Sequence, residues 1–182
     1  MINFIIPFYF LIFFKILKLI TMLNALNHTA LMLSLNERLF INCLAGVTDA
    51  QAKERISDHN NPFNWLATHT TWARYNMAAL LGKPANNPYN GLFENFKPFD
   101  QSMQFDSLEK IKEEWNKASA LLREALASVT EDHLAGPAPF QNPTGDSTMG
   151  GTIAFLTQHE SYDIGQMALL KKYLTKEAMS YS

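Results

Sequence analysis

His159 and Asp163 stand four residues apart in GGTIAFLTQHESYDIGQMALLKKYL, the stretch from Gly150 to Leu174. An imidazole and a carboxylate can ligate a metal, exchange a proton or hydrogen-bond to each other. On a helix, side chains at i and i+4 lie one above the other on the same face, so this spacing aims both groups in one direction. Gln166 follows at i+7, and the trio falls within an arc of roughly 60° at the 3.6-residue period. Ile153, Phe155, Leu156, Met167, Leu170 and Leu174 give the same helix an apolar side that faces a core. Polar groups set in such a helix need partners, because an unpaired buried polar group costs about 1–3 kcal/mol.

A third ligand is available at His69, in PFNWLATHTTWARYNMAALL. One helical face there carries Trp65, His69, Trp72 and Asn76. Taken alone, His69 reads as a core histidine among aromatics. Taken with His159 and Asp163, it completes a set of two histidines and one carboxylate on separate helices, the usual way a helix bundle builds a site. Imidazole suits zinc, iron or nickel, and the carboxylate adds a hard oxygen that manganese also accepts. Three protein ligands leave coordination positions open for water or substrate, the pattern of a catalytic rather than a structural site. His159 to Asp163 falls one histidine short of the H-E-x-x-H zinc-protease signature, and Glu160 points about 100° away from His159, so it reads as a solvated acid. His28, His59 and His133 read as surface or loop residues, and Cys43 as a small buried hydrophobe.

Four helices must position these groups. Apolar spacings of three and four run from about Leu23 to Leu44, stopped by Gly46. Thr48 and Gln51 have capping-box spacing and predict a short turn. Asn61-Pro62 pairs an N-cap with a proline at the first helical position, opening a second helix that stops at Gly82 and Pro84. Lys83 to Phe105 reads as a long connection that can return along the bundle, packed down by Tyr89, Phe93, Phe96 and Phe99. Asp106 with Glu109 opens a third helix, with a stripe of Leu108, Ile111, Trp115, Ala118, Leu122 and Leu126 and with its Lys and Glu residues facing water. Thr130 to Gly151 reads as a second connection, after which Asp146, Ser147 or Thr148 caps the fourth helix. The fold class is all-α: a four-helix bundle in up-down-down-up order, with the long crossover between helices 2 and 3.

The 182 residues are long enough for one domain with a real core. With 15 Lys and Arg against 17 Asp and Glu, the chain carries no electrostatic footprint for nucleic acid. Its single cysteine excludes an intrachain disulfide framework and suits a reducing cytoplasm. Residues 1–21 stand apart. MINFIIPFYFLIFFKILKLI is interrupted for a membrane span by Pro7, Lys15 and Lys18, and lacks the basic lead and cleavage site of a secretory signal. We read this extension as a misassigned start ahead of Met22, the alternatives being a membrane anchor or a part of the fold. The bundle proper is then residues 22–182, a cytoplasmic protein, in contact with a membrane only if residues 1–20 are genuine.

W-L-A-T-H, ending at His69, and H-E-S-Y-D-I-G-Q, from His159 to Gln166, resemble the two motifs of the DinB-like superfamily of metal-binding four-helix bundles. The resemblance extends in layout from Met22 to about Leu174. It implies a divalent metal held by one histidine of the second helix and an H-x-x-x-H pair of the fourth, with G-Q after the last ligand. Here Asp163 occupies the position of the family's usual third histidine. The aspartate can reach a metal from the same helical position, or it marks a lineage that has lost the metal and keeps a His159–Asp163 hydrogen bond. By resemblance, the activity is that of a metal-dependent thiol S-transferase or hydrolase-type enzyme, acting on a small-molecule electrophile with a low-molecular-weight thiol. His69, His159 and Asp163 are then the ligands, Gln166 a hydrogen-bonding group behind them or toward substrate, and Tyr162 a packing residue. The competing reading is a non-catalytic bundle with a degenerate site that binds a ligand or forms a homodimer.

Overall fold

The computed structural model describes residues 26–182, the Phe96 side chain excepted; the extension at residues 1–21 lies outside the described residues. Residues 26–44 form α1, followed by α2 (Phe63–Leu80), α3 (Leu108–Ser128), the one-turn α4 (Glu131–Ala135) and α5 (Met149–Thr175). Side-chain oxygens satisfy orphan amides where three of these helices begin: Ser107 accepts from Lys110, Thr130 from His133 and Thr148 from Gly151. Thr48 and Gln51 form the reciprocal capping pair their spacing implies, at 3.2 and 3.0 Å, but over a single 3-10 turn. At α2 the cap position falls on Pro62 rather than Asn61 and makes no side-chain hydrogen bond. At α3 it falls on Ser107 rather than Asp106. Gly46 and Gly82, both at positive φ, follow α1 and α2 as the stops expected of them.

Two apolar clusters set the order of the helices. One joins Leu39, Phe40 and Cys43 of α1 to Phe63 and Leu66 of α2, Leu108 and Ile111 of α3, and Met167 and Leu170 of α5. The other joins Leu33 of α1 to Met77 and Ala78 of α2, Leu122 and Ala125 of α3, and Ile153 of α5. The ends of α1 and α5 thus run one way and those of α2 and α3 the other, the up-down-down-up arrangement. Tyr89 and Phe93, 3% and 4% exposed, fasten the crossover that lets α2 and α3 run parallel. The helical α4 inside the second connection is an addition to the expected plan; its His133 reaches the carbonyl of Leu80 at the end of α2 (2.8 Å). Among the described residues no helix is long and apolar enough to cross a membrane.

Between the clusters lies a polar layer the hydrophobic pattern does not announce. Arg74 of α2, 1% exposed, makes a two-pronged ion pair with Glu160 of α5 at 2.9 and 2.8 Å. Its other nitrogen–hydrogens reach Ser119 Oγ of α3 (2.8 Å) and the carbonyl of Leu33 in α1 (2.9 Å), and its guanidinium lies 4.0 Å from the ring centre of Trp115. Asn36 of α1 donates to Glu160 (3.1 Å) and to Ser161 (2.9 Å). Glu160 is therefore not the solvated acid expected; it is buried and spent on holding four helices together.

Glu114 is a second correction, since not all the acids of α3 face water. It is buried, and it accepts hydrogen bonds from Tyr75 (2.8 Å) and Lys117 (2.7 Å) and pairs with Lys110 at 3.0 Å. Burial alone would raise its pKa; the bonds from Lys117, Lys110 and Tyr75 outweigh it and bring the carboxyl from 4.5 to about 2. Stability from a carboxylate of depressed pKa is present above the unfolded value and lost as pH falls toward the folded one. Glu114→Gln should thus unfold in urea with about 1–2 kcal/mol less stability than the wild type at neutral pH. The gap should shrink by more than half by about pH 3, and a gap that stays constant with pH would contradict this account.

Candidate metal centre

The middle of α5 turns His159 and Asp163 toward α2, where His69 meets them. His69 Nδ1 lies 3.0 Å from Asp163 Oδ2, and His159 Nε2 lies 3.6 Å from the same oxygen. One ligand-type atom from each of the three residues falls within 4.8 Å of the others. The fourth-helix spacing and the choice of His69 thus converge on one point. Asp163 is hydrogen-bonded across the bundle to His69, rather than most closely to His159 on its own helix. Gln166 stands where its spacing puts it, its amide donating to Asp163 Oδ1 at 3.4 Å. His28 and His59 are exposed, as read from the sequence.

Burial divides the roles within this cluster. Asp163 is 5% exposed at its side chain and His69 15%, whereas His159 keeps 37%. The His69 ring stacks on Trp65 with centres 4.8 Å apart and planes 11° from parallel. Phe93 meets it edge-on at 5.1 Å, and Trp72 leans over it at 5.7 Å. These rings hold the imidazole in one orientation and exclude water from its faces. Trp65 and Trp72 keep buried indole N–H groups with no hydrogen-bond partner, an expense accepted in order to place rings around His69.

The donor set fits a divalent cation. A tetrahedral ion at ~2.1 Å from each donor separates them by about 3.4 Å; the two separations to Asp163, 3.0 and 3.6 Å, bracket that figure, and with all three atoms within 4.8 Å of one another the two imidazoles would draw together onto one ion. A buried carboxylate shared by two imidazoles, with an amide behind it, also matches the way ligand shells are oriented.

The cluster forms part of the wall of a cavity of about 700 Å³. All four residues of the predicted α2 face, Trp65, His69, Trp72 and Asn76, line it. So does Tyr162, which at 59% exposure is a wall of the mouth and not the packing residue expected. Phe93 and Phe99 of the crossover and Phe140 of the second connection line it too. Phe140 was missed in the sequence because nothing local marks a loop phenylalanine as a wall. Cys43 is no part of the site: it is fully buried, and burial pushes its thiol up to about 12. Glu160, next to His159 in sequence, has both carboxylate oxygens engaged by Arg74 and cannot serve as a metalloprotease base.

A sequence profile of the DinB superfamily matches residues 32–167. The crystal structure of a conserved protein from Enterococcus faecalis superposes with a TM-score of 0.64 at 14% identity, covering 83% of this chain and 97% of that one. At such identity the likeness concerns the fold alone. No curated protein matches the chain.

Proposed function

Since the chain belongs to the DinB superfamily, we propose that His69, His159 and Asp163 hold one divalent cation and that the site joins a small-molecule electrophile to a low-molecular-weight thiol or to water. The observation that supports this best is the convergence of three ligand-type atoms from two helices within 4.8 Å, on the wall of a largely apolar cavity. Zinc, nickel, manganese and iron all accept such a set. When bound, the cation would supply Lewis acidity, lowering the pKa of a thiol or water brought to it.

The chain's own residues do the rest. Asp163 would neutralise part of the cation's charge, and Gln166 holds the carboxylate in place while presenting the remainder of its amide to the cavity. Trp65, Trp72 and Phe93 keep the His69 side dry, which strengthens electrostatic interactions there. The more exposed His159 marks the side from which substrate arrives. With one cysteine in the chain, and that one buried and protonated, a reacting sulfur must come from a cosubstrate.

Metal content is the direct test. After loading with zinc, nickel, manganese or anaerobic iron and desalting, the protein should retain about one ion per chain by inductively coupled plasma mass spectrometry, falling by roughly tenfold or more in His159→Ala and in Asp163→Ala. Turnover of an electrophile panel with added thiol should vanish on chelation. Retention of none of the four metals would sink the reading and leave the His69–Asp163 hydrogen bond as a device of core specificity.

A further inference from the structure

The aromatic rings around the cavity say more about its occupant than the ligand cluster does. Trp72 comes from α2, Phe93 and Phe99 from the crossover, Phe140 from the second connection, and Phe155 and Tyr162 from α5. Four separate segments thus deliver aromatic rings to one space. Phe140 and Tyr162 remain 44% and 59% exposed, so much of this apolar surface is left wet. Polar lining is sparse, and its amides are Asn61, Asn76, Asn95 and Gln166. The charged side chains away from the ligand cluster are Glu94 and Lys97, which offset each other within one short stretch of the crossover, and among the described residues no arginine lines the space. Such a wall cannot satisfy the many hydroxyls of a sugar, nor can it neutralise a phosphate group. Its volume of about 700 Å³ suits a small organic molecule.

We infer that the cavity takes a flat, uncharged aromatic molecule, held by stacking against rings from both long connections, with its reactive end toward His159 and Asp163. The substrate side of the proposed function is thereby narrowed to aromatic electrophiles. The inference rests on that reading for the word substrate, but binding itself needs no metal. The helices hold the ligand cluster, and the two connections complete the wall against which the molecule packs.

Calorimetry with 1-naphthol on chelator-stripped protein tests it, with decahydro-1-naphthol as the same carbon skeleton without π-electrons and adenosine monophosphate as an anionic, hydroxyl-rich comparator. Stacking against several rings predicts that 1-naphthol binds about tenfold or more tightly than its saturated counterpart. Adenosine monophosphate should not bind measurably. Phe140→Ala and Tyr162→Ala, both exposed positions that should fold normally, should each weaken 1-naphthol by about three- to tenfold. Equal affinity for the saturated compound, tighter binding of adenosine monophosphate, no binding of 1-naphthol, or indifference to both substitutions would overturn the inference. Metal retention by the same protein after reloading and desalting separates the two ideas. A chain that keeps metal and rejects 1-naphthol refutes this inference alone, and one that binds 1-naphthol and never keeps metal refutes the metal centre alone.

Discussion

Glu160→Ala should destabilise the protein by about 3–5 kcal/mol, because it removes the close, two-pronged counter-charge of the Arg74 guanidinium in the middle of the bundle and leaves only the more distant Glu37. For a chain of this size that is a fall in melting temperature of roughly 10 °C or more. Arg74 is 1% exposed, and its remaining close partners, Ser119 and the Leu33 carbonyl, are neutral, with the partly exposed Glu37 carboxylate 4.0 Å away. The double variant Arg74→Met with Glu160→Leu should recover most of the loss, since it removes both charges and fills the space with apolar groups. Urea melts of the single and double variants decide the matter: an equally unstable double variant would show that shape rather than the stranded charge carries the effect.

The same ion pair bears on the metal centre. Glu160 follows His159 directly, about 100° further round the helix. Fixing Glu160 on Arg74 sets the rotation of α5 about its own axis, and with it the direction in which His159 and Asp163 point toward His69. Arg74 and His69 share α2, so both contacts register α5 against a single partner helix. A purely apolar interface tolerates small rotations; a two-pronged ion pair does not.

How far the sequence discloses all this depends on what kind of signal each residue leaves. The four long helices and their order were legible from periodicity, from the stops at Gly46 and Gly82, and from a crossover long enough to return along the bundle. His159, Asp163 and Gln166 were legible because helical spacing alone puts them on one face. His69 was legible from the helix face it shares with Trp65 and Trp72 only together with the resemblance of W-L-A-T-H to the DinB-like motif. Glu160 and Glu114 were misread for a shared reason. A buried acid and a solvated acid look alike until the partner is known, and Arg74, Tyr75 and the lysines of α3 are brought to them by tertiary packing. Tyr162 and Phe140 were misjudged or missed because aromatic residues fill cores and line cavities equally well, and only the surrounding segments decide which.

Asp163→His should shift the metal preference of the site toward zinc over manganese by about tenfold or more. The position faces His69 and His159 from one turn further along α5, and the family pattern places a histidine there. Replacing a hard anionic oxygen with a neutral, softer nitrogen favours the ion later in the Irving–Williams order and withdraws the charge that suits manganese. The substitution also breaks the 3.0 Å contact through which Asp163 holds His69, so the ion-free variant should lose local order around the site even if its loaded form regains it. Competition between zinc and manganese, read by metal content for the wild type and the variant, measures the shift. An unchanged ratio would mean that Asp163 does not ligate. A variant that binds zinc where the wild type binds nothing would mean that the aspartate has switched the centre off, and that His69 and Asp163 are kept for their hydrogen bond.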